Sequence, residues 1–152
     1  AVNLVETRFI MTFRKPLAGW QINGRQYYVD NEGIVFEKNY YDKPTVQIID
    51  ESGISPEQGS AVASARLLSF VGRVVALAGG SSYQVTEAIL PSGTTRQLEI
   101  RLKDVGPRIK LSIDRGAGEQ VEDMVLALRY LSARGVSPTY VDVRVSGRAA
   151  YQ

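Results

Sequence analysis

Serine, lysine, tyrosine and carboxylates are the only side chains here with catalytic potential, because the 152 residues contain neither cysteine nor histidine. Without histidine the usual general base, the usual zinc ligand and the middle member of a Ser-His-Asp triad are all missing. Without cysteine there is no thiolate nucleophile, thiolate metal site or disulfide. Three local patterns still invite a chemical reading. Lys110 and Ser112 stand two apart in a strand-like run, which places both on one face as a Ser–Lys pair requires. Simple strand alternation produces the same spacing. Glu119, Glu122 and Asp123 form an acidic cluster that resembles a metal or acid–base site. They fall in the first turns of an expected helix, where carboxylates complement the dipole, and no His or Cys completes a site. Arg115-Gly116-Ala117-Gly118 lies between a strand and a helix, but the third glycine of a dinucleotide fingerprint is replaced by Val121. A helix start that needs glycine geometry explains it. No enzyme is expected, and no cofactor.

Binding patterns are richer. Tyr27-Tyr28 and Tyr40-Tyr41 suggest a stacking platform for sugars or bases. Successive strand residues face opposite ways, so one of each pair is expected in the core. With 18 basic and 16 acidic residues the net charge is +2, and charges of both signs are interspersed. That gives no electrostatic case for nucleic acid or a membrane-binding tail. The end of the chain is more informative. In residues 139–145, Val141, Val143 and Val145 alternate with Tyr140, Asp142 and Arg144, the period of a strand with one buried face. A terminal strand is expected to leave one edge without an intramolecular partner, and open edges are sockets for a partner's strand. Arg144 and Arg148 then have two readings: edge charges that discourage aggregation, or receivers of a partner's carboxylate.

Local signals supply the elements around these residues. Asn23-Gly24 between Trp20-Gln21-Ile22 and Arg25-Gln26-Tyr27-Tyr28-Val29 predicts a two-residue hairpin. Asn31-Glu32-Gly33 is a second turn before Ile34-Val35-Phe36, and Pro44 precedes a strand at Val46-Gln47-Ile48-Ile49, together read as a meander. Ser55-Pro56-Glu57-Gln58 carries the marks of a helix start, shifted toward Ser60 if Gly59 weakens the first turn. This helix would turn Leu67, Leu68, Val71, Val74, Val75 and Ala78 inward and end at Gly79-Gly80. Residues 83–90 and 95–102 form a hairpin around Pro91-Ser92-Gly93, and 108–113 form the next strand. A second helix over 119–133 presents Val121, Met124, Val125, Leu128 and Leu131 on one face and closes at Gly135. The strand–helix–strand unit from 109 to 145 predicts one parallel pair in an otherwise antiparallel sheet. The expected class is α+β, a twisted, mixed, mostly antiparallel sheet with two packed helices. The apolar run 62–79 is broken by Ser64, Arg66, Ser69 and Arg73, which makes it amphipathic rather than membrane-spanning. The chain has no initiating Met and opens inside a strand-like segment, so it is expected to be a piece of a longer protein.

The order of three motifs resembles the extracytoplasmic β domain of the FtsQ/DivIB bacterial cell-division proteins. Arg14-Lys15-Pro16-Leu17-Ala18 is similar to the R-x-P-x-A stretch that begins that domain. Val29-Asp30-Asn31-Glu32-Gly33-Ile34-Val35-Phe36 resembles its VDxxGxVF signature. Ile109-Lys110-Leu111, the helix with Leu128 and Leu131, and Tyr140-Val141-Asp142-Val143-Arg144 look like its closing module. The likeness runs from about residue 5 to 151. It implies that residues 1–13 carry the last strand of a POTRA domain and that 14–152 are the β domain. It further implies a single-pass protein of the bacterial cytoplasmic membrane with this domain on the outer side. The implied role is a divisome scaffold that binds the coiled-coil proteins FtsB (DivIC) and FtsL by strand addition and helps regulate septal peptidoglycan synthesis. By position, Tyr140 and Arg144 fall near that interface, with Arg144 meeting an acidic partner residue. Val145, Ser146, Gly147 and Tyr151 lie in the stretch that would pair with the partner backbone. Val145 stands where one branch of the family carries an aromatic residue. Either Tyr151 supplies that anchor or the affinity is lower. Residues 103–107 form a loop longer than usual for the family, and Arg96 or Arg101 before it would hold a second acidic contact. The competing class is an extracytoplasmic glycan-binding module that uses the tyrosine pairs.

Overall fold

A computed structural model describes residues 10–152. Asn23 and Gly24 both take left-handed backbone, φ 51° and 74°, and so reverse the chain in two residues between β1 (Ala18–Ile22) and β2 (Arg25–Val29). Asp30 builds the next turn. Its Oδ1 accepts from the N–H groups of Glu32 (3.0 Å) and Ile34 (2.9 Å), and the Arg14 guanidinium grips Oδ2. Burial pushes the Asp30 carboxyl up, but the hydrogen bonds from Ile34, Arg14 and Glu32 prevail and hold it below its ordinary value. β3 (Val35–Phe36) follows, paired with β2.

β4 (Gln47–Asp50) does not continue this meander. It crosses to the far side of β1 and runs parallel to it, with Trp20 opposite Ile48. Helix α1 (Ala65–Gly80) then leads to β5 (Val85–Leu90), parallel to β4. β6 (Gln97–Leu102) and β7 (Arg108–Ser112) follow antiparallel. Helix α2 (Ala117–Ala133) connects β7 to a parallel β8 (Tyr140–Asp142), and β9 (Ala150–Tyr151) folds back antiparallel on β8. The result is α+β, one sheet of nine strands in the order β3-β2-β1-β4-β5-β6-β7-β8-β9 with two helices. The sheet is mixed and mostly antiparallel. It holds the expected parallel pair β7/β8 and two more: β4/β5, because α1 is also a crossover, and β1/β4, joined through β2, β3 and the loop after them.

One face of the sheet is core. Trp20, Ile22, Ile48, Ala88, Leu98, Ile100, Ile109, Leu111 and Val141 are buried in one cluster with Leu68, Val71, Val74 and Ala78 of α1 and Val121, Met124, Leu128 and Leu131 of α2. Burying each such aliphatic side chain contributes about 1.5–3 kcal/mol. The opposite face is polar across β5 to β8, where Arg101 pairs with Glu87 at 3.1 Å and Arg108 with Glu99 at 3.3 Å.

The expected start of the first helix fails for a tertiary reason. Helix α1 starts at Ser64, whose Oγ accepts from the Leu67 N–H at 3.2 Å, and not at Ser55 or near Ser60. Residues 59–62 are instead drawn alongside β3: Val35 donates to Ser60 and accepts from Gly59, both at 2.9 Å, and Val62 donates to Gly33 at 2.9 Å. Gly59, with φ 80°, has a backbone that no helix interior uses. Of the strand expected over 5–13, only the last residues are described. Residues 5–9 lie outside the described residues, and residues 10–13 carry no strand.

Candidate functional site at the C-terminal sheet edge

Val141 and Val143 bury their side chains, as alternation requires, while Tyr140 and Asp142 lie on the polar face. The strand stops at Asp142, short of Val145. Asp142 Oδ1 accepts from the Arg144 N–H at 3.0 Å, which closes a local turn in place of the next ladder bond. Residues 145–148 then reverse direction. Arg148 N–H donates to the Val145 carbonyl at 3.3 Å, and Gly147 takes φ 62°. The chain returns as β9, with Tyr151 opposite Val141 and Ala150 opposite Asp142. Gln152 locks the end: its carbonyl accepts from Thr139 N–H (2.5 Å) and Oγ1 (2.8 Å), and its N–H donates to Tyr140 O (3.4 Å). The outer edge of β8, expected open, is therefore covered by residues 150–152. Among the described residues, β9 has no strand on its outer side. The opposite end of the sheet differs, since residues 59–62 satisfy both backbone groups of Val35 on β3.

Tyr151 projects to the helix side, in register with Val141, and is 49% exposed. Between it and α2 lies a groove of 430 Å³ lined by Leu126, Tyr130, Leu131, Tyr151, Asp123 and Arg148. Leu126 is 65% exposed and Tyr130 48%, with the Arg134 guanidinium stacked 4.0 Å from the Tyr130 ring centre. Among the expected partner-binding residues, Tyr151 borders this groove together with Gly147, and exposed Val145 and Ser146 form the turn beside it.

Arg144 stands on the other face. Its Nε lies 2.9 and 3.1 Å from the two Asp142 oxygens, its Nη2 2.5 Å from Oδ2, and its Nη1 2.7 Å from Gln97 Oε1. The Arg144 guanidinium beside Asp142 holds that carboxyl below its ordinary value, and Asp142 in return raises the guanidinium. Arg144 is thus already engaged within the chain. Tyr140 lies next to it, its ring 3.9 Å from Lys110 Nζ and its hydroxyl donating to Gln152 Oε1 at 3.1 Å. Arg96 is not brought to this cluster. Its Nε donates to Asp114 at 2.6 Å, a carboxylate shared with Arg66 of α1 at 3.2 Å. Arg101 is committed to Glu87.

The other sequence patterns resolve into architecture. Glu119 (3.1 Å) and Asp123 (3.4 Å) flank Arg115, whose Nη1 donates to the Val143 carbonyl at 2.7 Å. The carboxylates thereby hold an arginine that pins the chain leaving β8. Gly116 caps α2 without a side-chain bond. Lys110 and Ser112 share the polar face, with Ser112 Oγ accepting from Asp114 N–H at 3.3 Å. The tyrosines do not form one platform. Tyr27 is core and Tyr28 packs 5.9 Å from Phe36, while Tyr40 and Tyr41 are both exposed on a loop, Tyr40 stacked 4.3 Å from Phe13.

Gln120 escaped sequence reading. Fully buried, it accepts from Ser112 N–H and donates to Ser112 O, both at 2.8 Å, so its amide stands in for a strand residue beside the end of β7. A glutamine within the apolar stripe of Val121, Met124 and Leu128 is the signal that could have found it.

No protein-family model matches the chain, and no curated protein matches it. Among the described residues no helix is long and apolar enough to cross a membrane.

Proposed function

We propose that this chain is a non-enzymatic division scaffold of the FtsQ/DivIB kind, which takes a strand from an FtsB/DivIC-like coiled-coil protein on its C-terminal edge. In this reading an FtsL-like protein joins through the same partner, and the assembly helps regulate septal peptidoglycan synthesis. The domain sits outside the bacterial cytoplasmic membrane, held by a single helix beyond this sequence. The observation that supports the reading most is the contrast between the two sheet edges. Residues 59–62 cover β3, whereas β9, among the described residues, has no strand on its outer side and borders a groove lined by Leu126, Tyr130 and Tyr151. Backbone pairing supplies register, and alternate side chains of the added strand supply specificity. An aromatic such as Tyr151 at the border of the groove is the kind of residue whose truncation costs about 2 kcal/mol or more, roughly a 30-fold loss.

Calorimetric titration with the extracytoplasmic segment of the cognate FtsB/DivIC-like protein tests the proposal. Wild type binds, and Arg144→Glu, folded by circular dichroism, does not. Unchanged affinity in the folded variant removes Arg144 from the interface, and absence of wild-type binding overturns the scaffold reading. Exposed Phe13, Tyr40 and Tyr41 favour a second reading, a glycan-binding surface. Retention on muropeptide resin that is lost in Tyr40→Ala would select it.

A further inference from the structure

We infer that Gln97, which lies on β6 two strands inward from β8, is a positioning residue for partner binding and acts through Arg144. The inference rests on the scaffold reading above. Gln97 and Arg144 are 47 residues apart in sequence, yet Gln97 Oε1 accepts from Arg144 Nη1 at 2.7 Å. The orientation of the Gln97 amide is imposed from its other side. Its Nε2 donates to Glu99 Oε1 at 3.0 Å, and Glu99, 8% exposed, is itself held by Arg108 Nη1 at 3.3 Å. A carboxylate can only accept from that amide, so the oxygen must face the guanidinium.

Asp142 grips the same guanidinium along its Nε–Nη2 side. A guanidinium has five N–H donors, of which Asp142 takes those on Nε and one on Nη2, and Gln97 takes one on Nη1. One N–H on each terminal nitrogen is left for a further acceptor, with the plane of the group already fixed. The acceptor that suits two such N–H groups is a carboxylate. Arg144 therefore meets an acidic side chain with little rotamer freedom left to lose, and Gln97 together with Glu99 supplies that order without touching the partner. The path Arg108–Glu99–Gln97–Arg144 runs along the polar face to the terminal segment and makes that face part of the binding site.

Gln97→Leu keeps the size of the side chain and removes its oxygen. Immobilising one long side chain is worth about 0.5–1.5 kcal/mol, so affinity for the cognate extracytoplasmic segment should fall about two- to tenfold. The decisive measurement is a double-mutant cycle of Gln97→Leu with Arg144→Gln, titrated against that same segment. A positioning residue costs affinity in the Arg144 background and nothing once Arg144 is replaced. In the free protein, the Arg144 Nη1–H resonance, whose acceptor is Gln97 Oε1, should lose its protection from exchange in Gln97→Leu. Equal losses in both backgrounds, or no loss in either, overturn the inference while the scaffold reading stands. A wild-type protein that does not bind the segment overturns both.

Discussion

Replacing Gln120 with methionine isolates one side-chain amide that joins a strand, a helix and the segment feeding the candidate site. The volume and flexibility of the side chain are kept, so no cavity opens and the change is confined to hydrogen bonding. Two bonds of 2.8 Å to Ser112 disappear, along with weaker donations to Arg115 O at 3.3 Å and Gly116 O at 3.4 Å. An unpartnered buried backbone group costs about 1–3 kcal/mol. Ser112 is only half-buried, and water can recover part of that cost. The expected destabilisation is then about 2–4 kcal/mol, a large share of the 5–15 kcal/mol typical of a domain. In urea, where slopes run at about 1–3 kcal/mol per molar, the midpoint should fall by roughly 1–2 M with the slope unchanged. The same protein should bind the cognate partner segment at a temperature where it is folded, since Gln120 lies beneath the site and not in it. A midpoint within about 0.2 M of wild type would refute the reasoning, because the Ser112 backbone would then be satisfied by other means.

Gly33 has φ 83°, and a Cβ there would run into the Ala63 carbonyl oxygen, whereas Gly24 has φ 74° and open space around it. Gly33→Ala should therefore cost about 2–3 kcal/mol and Gly24→Ala about 1 kcal/mol, and thermal melts that rank them the other way would dismiss the packing explanation. The depressed Asp142 carboxyl contributes stability that is present above its unfolded value and is lost as pH falls through its folded value. Acid titration of wild type should show that loss below about pH 4, and Asp142→Asn should flatten it. An Asp142→Asn protein with an unaltered acid limb would contradict the assignment.

Sequence alone determined whatever depends on neighbours within a few residues. Asn23-Gly24 dictates a hairpin because its left-handed backbone fits no other short connection. The apolar faces of α2 and the alternation of Val141 and Val143 follow from the periods of helix and strand. The absence of His and Cys narrows the available chemistry wherever the remaining side chains lie in space. Tertiary structure decided the rest, where distant backbone groups compete for partners. Ser55-Pro56 is a sound helix start by local criteria, yet residues 59–62 bond to β3 and the helix waits for Ser64. The pairing of β4 with β1 was equally invisible, since strand order is set by which apolar faces can share one core. At the candidate site, Tyr151, Val145 and Arg144 were legible as terminal residues with binding potential. The fold-back of β9 onto the outer edge of β8, and the grip of Gln97 and Asp142 on Arg144, were not. The first depends on which strand residues 150–151 pair with and the second on a sheet that sets β6 two strands from β8, and no local window of sequence contains either.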